Sequence, residues 1–241
     1  MPKKSEYQQI KNLGRGAFST TFLIKEIASE KLCVWKKIPI KTEEDRENAQ
    51  KEVETLQLVK GDCFVNYLGS FEEEGEFFIL LEYCDQEDLR KYINKLKENK
   101  QYISEEKLLD MMTQMIYALS ILHQMGIIHR DLKPENILLS GPILVKIGDF
   151  GLARVTNNAQ QYYAHIGGTS TYFAVELLDE EIDDDDNDDN EGQQSQRSVV
   201  QTEQTDIFAL GEIFHELASK GHNFVYDEQG SRETPFCRRS T

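Results

Sequence analysis

Two stretches of the chain carry residue types that do chemistry together. GRGAFSTTF, residues 14–22, sets Gly14 and Gly16 in G-x-G spacing and Ser19 where a third glycine would complete G-x-G-x-x-G. Glycines at such a turn let backbone N–H groups close on an anion, and the anion they suit is phosphate. Ser19 keeps its N–H donor and adds only a Cβ, so nucleotide binding is expected to be weakened or retuned and not abolished. The second stretch is HRDLKPEN, His129–Asn136, followed thirteen residues later by DFG, Asp149–Gly151. Singly, such polar residues cap turns; in this order behind a phosphate loop they point to a site.

The elements that must position these residues follow from spacing. YQQIKNLG and TTFLIKEIA flank the glycine loop as strands, and KLCVWKKIPI makes a third, rich in apolar and β-branched residues. Neighbours on a strand point to opposite faces, so Lys37 is expected in solvent when Lys36 faces a site. Residues 43–59 change to helical spacing, with Ala49, Val53 and Leu56 on one face. FVNYLGSF and GEFFILLEY follow as strands joined by EEEG, and after Glu87 the pattern is helical. SEEKLLDMMTQMIYALSILHQMG has an N-cap at Ser104 and acids in its first turn, with a stop at Gly126. Its apolar stripe is Leu108, Met112, Met115, Leu119 and Leu122. ENILLSGPILVKIGDFG reads as two short strands about a Ser-Gly-Pro turn, and a late helix spans about 205–220. The change from strand-rich to helix-rich sequence falls near EYCDQ, residues 82–86.

HRDLKPEN and DFG, in order with the upstream motifs, resemble the eukaryotic protein kinases over nearly the whole chain. The resemblance implies an α+β, two-lobed protein-kinase fold. A β-rich N-lobe with one regulatory helix would occupy 1–83. A shortened α-helical C-lobe would follow over 84–223, with an acidic insertion at 179–205 and a polar tail at 224–241. It also implies ATP and Mg2+ as cofactors. Phosphoryl transfer then needs positioning and charge neutralisation more than covalent chemistry. Asp131 would accept or orient the proton of the substrate hydroxyl, Lys133 would contact the transferring phosphate, and Asn136 and Asp149 would hold magnesium. VWKK stands where kinases carry V-A-I-K, which makes Lys36 the lysine on the α- and β-phosphates and Glu52, in QKEVETL, its helix partner. The nucleotide would lie against Leu13, Gly14, Arg15, Gly16, Ala17, Phe18 and Ser19. Thr21 replaces the usual valine over adenine, and Val34, the gatekeeper Leu81, the hinge residues Glu82 and Cys84, and Leu138 complete the pocket. Cys84 reads as a small residue at a buried edge and not as a reactive thiol, since nothing nearby in sequence lowers its pKa.

Lys133 in DLKPEN and Thr169 in GGTSTYF match the serine/threonine class, and EYCDQEDL, GDFGLARV and IGGTSTYFAVELL look most like the NIMA-related kinases. Three departures stand out. AVE, Ala174–Glu176, replaces A-P-E, which removes proline's fixed φ from the substrate-docking loop. His165 stands four residues before Thr169, where that family often carries a phosphorylated Ser or Thr received by Arg130. Thr156, Tyr162, Tyr163, Ser170 and Thr171 are the remaining nearby acceptors. Asp206, in TDIFALG, matches the helix-F aspartate that organises the catalytic loop, but little chain follows it. The C-lobe is therefore expected to be incomplete, with Glu176 unpaired, either as a truncated product or as one that a partner completes.

The net charge of −16 comes mostly from one tract: ten acidic and no basic residues lie between Asp179 and Glu191. The tract reads as a solvated insertion; the sharper alternative is that it favours basic substrates from beside the peptide groove. Nothing here suggests nucleic-acid affinity. The four scattered cysteines, without a CxxC pair, read as reduced thiols. No apolar leader or membrane-length apolar run is present, so a cytoplasmic protein is expected, with nuclear or cytoskeletal association compatible. The expected function is a protein serine/threonine kinase that transfers the ATP γ-phosphate to protein hydroxyls. The alternative is a truncated pseudokinase, or a regulatory nucleotide- or partner-binding module without turnover, favoured by Ser19, Val175 and the missing helices.

Overall fold

A computed structural model describes residues 2–16, 18–142, 144–155, 162–165, 172 and 198–219. Ala17, Thr169, Ala174–Glu176, the acidic tract and the stretch read as a polar tail lie outside the described residues.

Five strands form one antiparallel sheet. Its order is β1 (Tyr7–Arg15), β2 (Thr20–Glu26), β3 (Leu32–Pro39), β5 (Glu76–Glu82) and β4 (Tyr67–Glu73). Alternation along β3 and β5 sorts their side chains between two apolar clusters. Cys33, Trp35, Phe78 and Leu80 pack with Ile24 on one side. Phe77 and Ile79 pack on the other, in the cluster that holds Ala49, Val53 and Leu56 of α1 (Glu43–Leu58). Val34 and Lys36 are out of step with Cys33 and Trp35, so they fall on the α1 side. Lys37 falls opposite, as the alternation suggests, but only 30% of its side chain is exposed to solvent. It is half-buried, and its Nζ pairs with Glu76 Oε1 at 2.6 Å. Glu76 faces Pro39 in the β3–β5 register, which makes it the diagonal cross-strand neighbour of Lys37.

The start of α1 is fixed by a capping box: Thr42 Oγ1 accepts from Asp45 N, and the Asp45 carboxylate accepts from Thr42 N. Ala49, Glu52, Val53 and Leu56 share the buried face, so the apolar residues that dock the helix carry Glu52 inward with them. Strand β4 starts at Tyr67, later than expected. Phe64 instead buries its ring and bridges to Ile147.

Beyond Glu82 come α2 (Leu89–Glu98), α3 (Glu105–Gln124), β6 (Ile127–Ile128), a 3-10 turn (Pro134–Asn136), β7 (Ile137–Ser140), β8 (Leu144–Ile147) and β9 (Arg154–Val155). β10 (Tyr162–His165), β11 (Ser198–Gln201) and α4 (Glu203–Ser219) follow. The small strands pair as β6–β9, β7–β8 and β10–β11, of which the sequence suggested only β7 and β8. On α3 the buried residues are Met111, Met115, Ala118, Leu119 and Leu122. Met111 replaces Met112 in the expected stripe. Both fit the 3–4 spacing, and the packing of α3 against β8 and α4 decides between them. One apolar core runs from α1 through Phe64, Ile147 and Phe150 to α3 and α4, so the strand-rich and helix-rich parts share a core at their joint. Among the described residues the architecture is α+β, with a β-sheet first lobe and few helices in the second, as the resemblance implies. Among the described residues, no helix is long and apolar enough to cross a membrane.

Candidate active site

Strand β3 delivers Lys36 to the face covered by α1. Its Nζ donates to Glu52 Oε1 at 2.7 Å and Oε2 at 2.9 Å, and to Asp149 Oδ1 at 2.7 Å. The Lys36 and Glu52 side chains are 12% and 4% exposed, whereas Asp149 is 45% exposed and forms the open end of the cluster. Gly151 packs closely here: a Cβ on it would lie 3.1 Å from Lys36 Nζ and 3.2 Å from Glu52 Oε2, so both side chains would have to give way slightly.

Burial alone would lower the Lys36 pKa, but Glu52 and Asp149 outweigh it and hold the ammonium above the usual lysine range. Burial pushes the Glu52 carboxyl up, with Lys36 opposing and Asp149 reinforcing the shift. Lys36 beside Asp149 holds that carboxyl down at about 2, so Asp149 stays ionised.

A second cluster is built on the loop after β6. Lys133 Nζ donates to Asp131 Oδ2 at 2.7 Å, and Asn136 Nδ2 donates to Asp131 O at 2.8 Å and Oδ2 at 2.9 Å. Beneath it, Asp206 on α4 is 1% exposed. It accepts the backbone N–H groups of His129 and Arg130, both at 2.8 Å, and lies 3.0 Å from His123 Nε2. These bonds hold Arg130 at φ 69°, a left-handed conformation that a non-glycine residue adopts only under constraint. Asp149, at φ 61°, is turned the same way. Gly148 joins the two clusters: its N–H donates to Asn136 O at 2.9 Å, and its carbonyl lies 3.1 Å from His129 Nε2.

The strand registers place several of the expected nucleotide contacts relative to Lys36. In the strand registers Thr21 opposes both Gly14 and Lys36, and Val34 opposes Leu81. Leu13 is half-buried, and Arg15 and Phe18 are exposed at the loop. Gly16 N donates to Ser19 O at 2.8 Å and closes the turn. A Cβ on Gly14 would meet nothing within 4 Å, and one on Gly16 only Ser19 at ordinary distance. Among the described residues, the chain's own packing therefore does not require either glycine. Leu138 lies on β7, where Leu139 exchanges hydrogen bonds with Gln86 and Glu87 beyond the end of β5. The Glu82 carboxylate is already taken, by Lys146 Nζ at 2.7 Å and Asn66 N at 2.8 Å. Lys146 is a buried lysine that sequence reading missed, because a lysine in LVKI reads as the solvent side of a strand. Burial, reinforced by Glu82, pushes the Cys84 thiol up to about 12, against any role as a nucleophile at neutral pH.

Among the described residues, no group of three or more His, Cys, Asp or Glu could hold a metal by itself. Asp149 and the Oδ1 of Asn136, whose Nδ2 is committed to Asp131, would offer oxygen to a hard cation. The donor chemistry fits magnesium.

Two outcomes follow from this electrostatics. Replacing Lys36 by Met removes the cation between two carboxylates and should destabilise the fold by about 3–5 kcal/mol. Without Lys36, the raised pKa of Glu52 moves further up. A group raised on folding stabilises below its unfolded pKa, and that contribution is lost as pH rises through the folded value. The drop in Tm relative to the parent should therefore be larger at pH 8 than at pH 5; equal drops would contradict the coupling. Iodoacetamide at pH 7.5 should label Cys84 far more slowly than free cysteine, and labelling at the free rate would contradict its shielding.

Comparison with known proteins agrees with this geometry. A protein kinase domain model matches residues 7–239. Serine/threonine-protein kinase Nek5 of Homo sapiens is 34% identical over 225 residues, which cover 91% of this chain and 28% of that protein. Serine/threonine-protein kinase Nek1 of Mus musculus is 31% identical over 221 residues, 91% of this chain and 17% of the relative. Serine/threonine-protein kinase Nek2 of Homo sapiens is 30% identical over 229 residues, 91% of this chain and 47% of the relative. The chain thus spans less than half the length of each of these relatives. With the domain match running through both residue clusters and relatives of one kind, the chain belongs to the protein kinase family, in its NIMA-related serine/threonine group.

Proposed function

We propose that the chain is an ATP- and magnesium-dependent protein kinase that phosphorylates serine or threonine hydroxyls of protein substrates. The observation that carries this reading is the junction at Gly148, which sets the Lys36–Glu52–Asp149 cluster beside the Asp131–Lys133–Asn136 cluster.

Each residue then has a task its surroundings support. Lys36, held by Glu52, neutralises the α- and β-phosphates, and the backbone of the Gly14–Ser19 turn cradles them. Magnesium, when bound, neutralises charge on the phosphate oxygens, with Asp149 and Asn136 as its protein ligands. Asp131, oriented by Asn136, points the substrate hydroxyl at the γ-phosphate and takes its proton. Lys133 offsets the negative charge at that position. The contribution is mainly positioning and fixed electrostatics, so no covalent enzyme intermediate is required.

The test is transfer of radiolabelled phosphate from ATP to a generic basic protein, with Asp131→Asn as the comparison. Loss of the proton acceptor should lower incorporation about a hundredfold or more. Equal incorporation by the two proteins would overturn the reading.

A further inference from the structure

Outside this site, among the described residues, a dense knot of charge is built on Arg90, the second residue of α2. Its Nε donates to Glu135 Oε1 at 2.8 Å, its Nη1 to Glu216 and its Nη2 to Tyr172 Oη, while Tyr172 donates in turn to Glu216. One guanidinium thereby ties together α2, the 3-10 turn, residue 172 and α4. Glu216 and Tyr172 are buried, Arg90 is 25% exposed and Glu135 is 45% exposed, so the knot opens to the surface on the Glu135 side. Burial, reinforced by Glu216, raises the Tyr172 pKa, so the phenol remains a donor to that carboxylate. Glu135 immediately precedes Asn136, whose amide holds Asp131. Two carboxylates and a phenol thus surround a planar fork next to the catalytic loop, and the fork belongs to the chain itself. Such a constellation fits a guanidinium better than an ammonium. Without Arg90, buried Glu216 would be left in need of another cation.

We propose that Arg90 is a specificity-determining residue: it fills an acidic pocket beside the catalytic loop with an internal guanidinium, and so closes the pocket to an arginine of a peptide substrate. The word substrate rests on the kinase reading above; the pocket and its occupant do not.

The test uses fluorescein-labelled nonapeptides with a central serine and one arginine at each other position in turn, plus the all-alanine parent. Binding is read by fluorescence anisotropy at low salt for the parent protein, Arg90→Ala and Arg90→Ala/Glu216→Gln. The parent should bind all members within about twofold. Arg90→Ala should bind at least one arginine peptide about tenfold tighter than the alanine peptide, and the added Glu216→Gln should remove that gain. A flat profile for folded Arg90→Ala would overturn the proposal. Should Arg90→Ala not fold, Arg90→Lys keeps the charge without the fork. A gain of about threefold is then expected, and no gain overturns the proposal. Turnover of the same peptides separates the two readings. A parent without turnover sinks the kinase assignment while anisotropy still decides the pocket, and turnover with an unchanged preference in Arg90→Ala sinks the pocket alone.

Discussion

A lysine cation buried between two carboxylates constrains most of what surrounds it. Lys36 could not be this enclosed without partners, because an unpaired charge away from water is strongly disfavoured. Its partner Glu52 arrives only when α1 is docked on its apolar face, and its partner Asp149 only when the segment after β8 is in place. A side chain at Gly151 would crowd the place where the three groups meet. The cluster therefore joins sheet, helix and second lobe, and any displacement of α1 exposes its own electrostatic penalty.

The second lobe has a matching anchor. Asp206 uses both carboxylate oxygens on the backbone of His129 and Arg130, and through them fixes the loop that bears Asp131. Arg130 and Asp149 both adopt left-handed backbone, so local strain accompanies each cluster and tertiary bonds offset it. With Phe150 buried against Phe64 and His129, the loop and the Asp149 segment cannot shift independently.

Much of this was legible in the sequence. Strand alternation separates Lys36 from Lys37, helical spacing brings Glu52 inward with Val53 and Leu56, HRDLKPEN marks the second cluster, and DFG carries the Asp149 that joins the first. What could not be read depends on partners far apart in the chain. Lys146 looks like a solvent-facing strand lysine until Glu82 is found beside it, and Arg90 looks like an ordinary helix charge until Tyr172 and Glu216 close around it. The choice of Met111 over Met112, and the pairing of Lys37 with Glu76, were likewise set by packing between elements. Local patterns report which face a residue takes; they are silent on which distant group will meet it.

The central claim is that Lys36 and Asp149, brought together from opposite lobes, bind one nucleotide by two different means. Titration calorimetry with a non-hydrolysable ATP analogue, with and without magnesium, tests it directly. Magnesium should tighten binding to the parent and have no such effect on Asp149→Asn, while Lys36→Met should bind more weakly whether magnesium is present or not. Magnesium-independent binding by the parent, or a full magnesium effect in Asp149→Asn, would contradict the account.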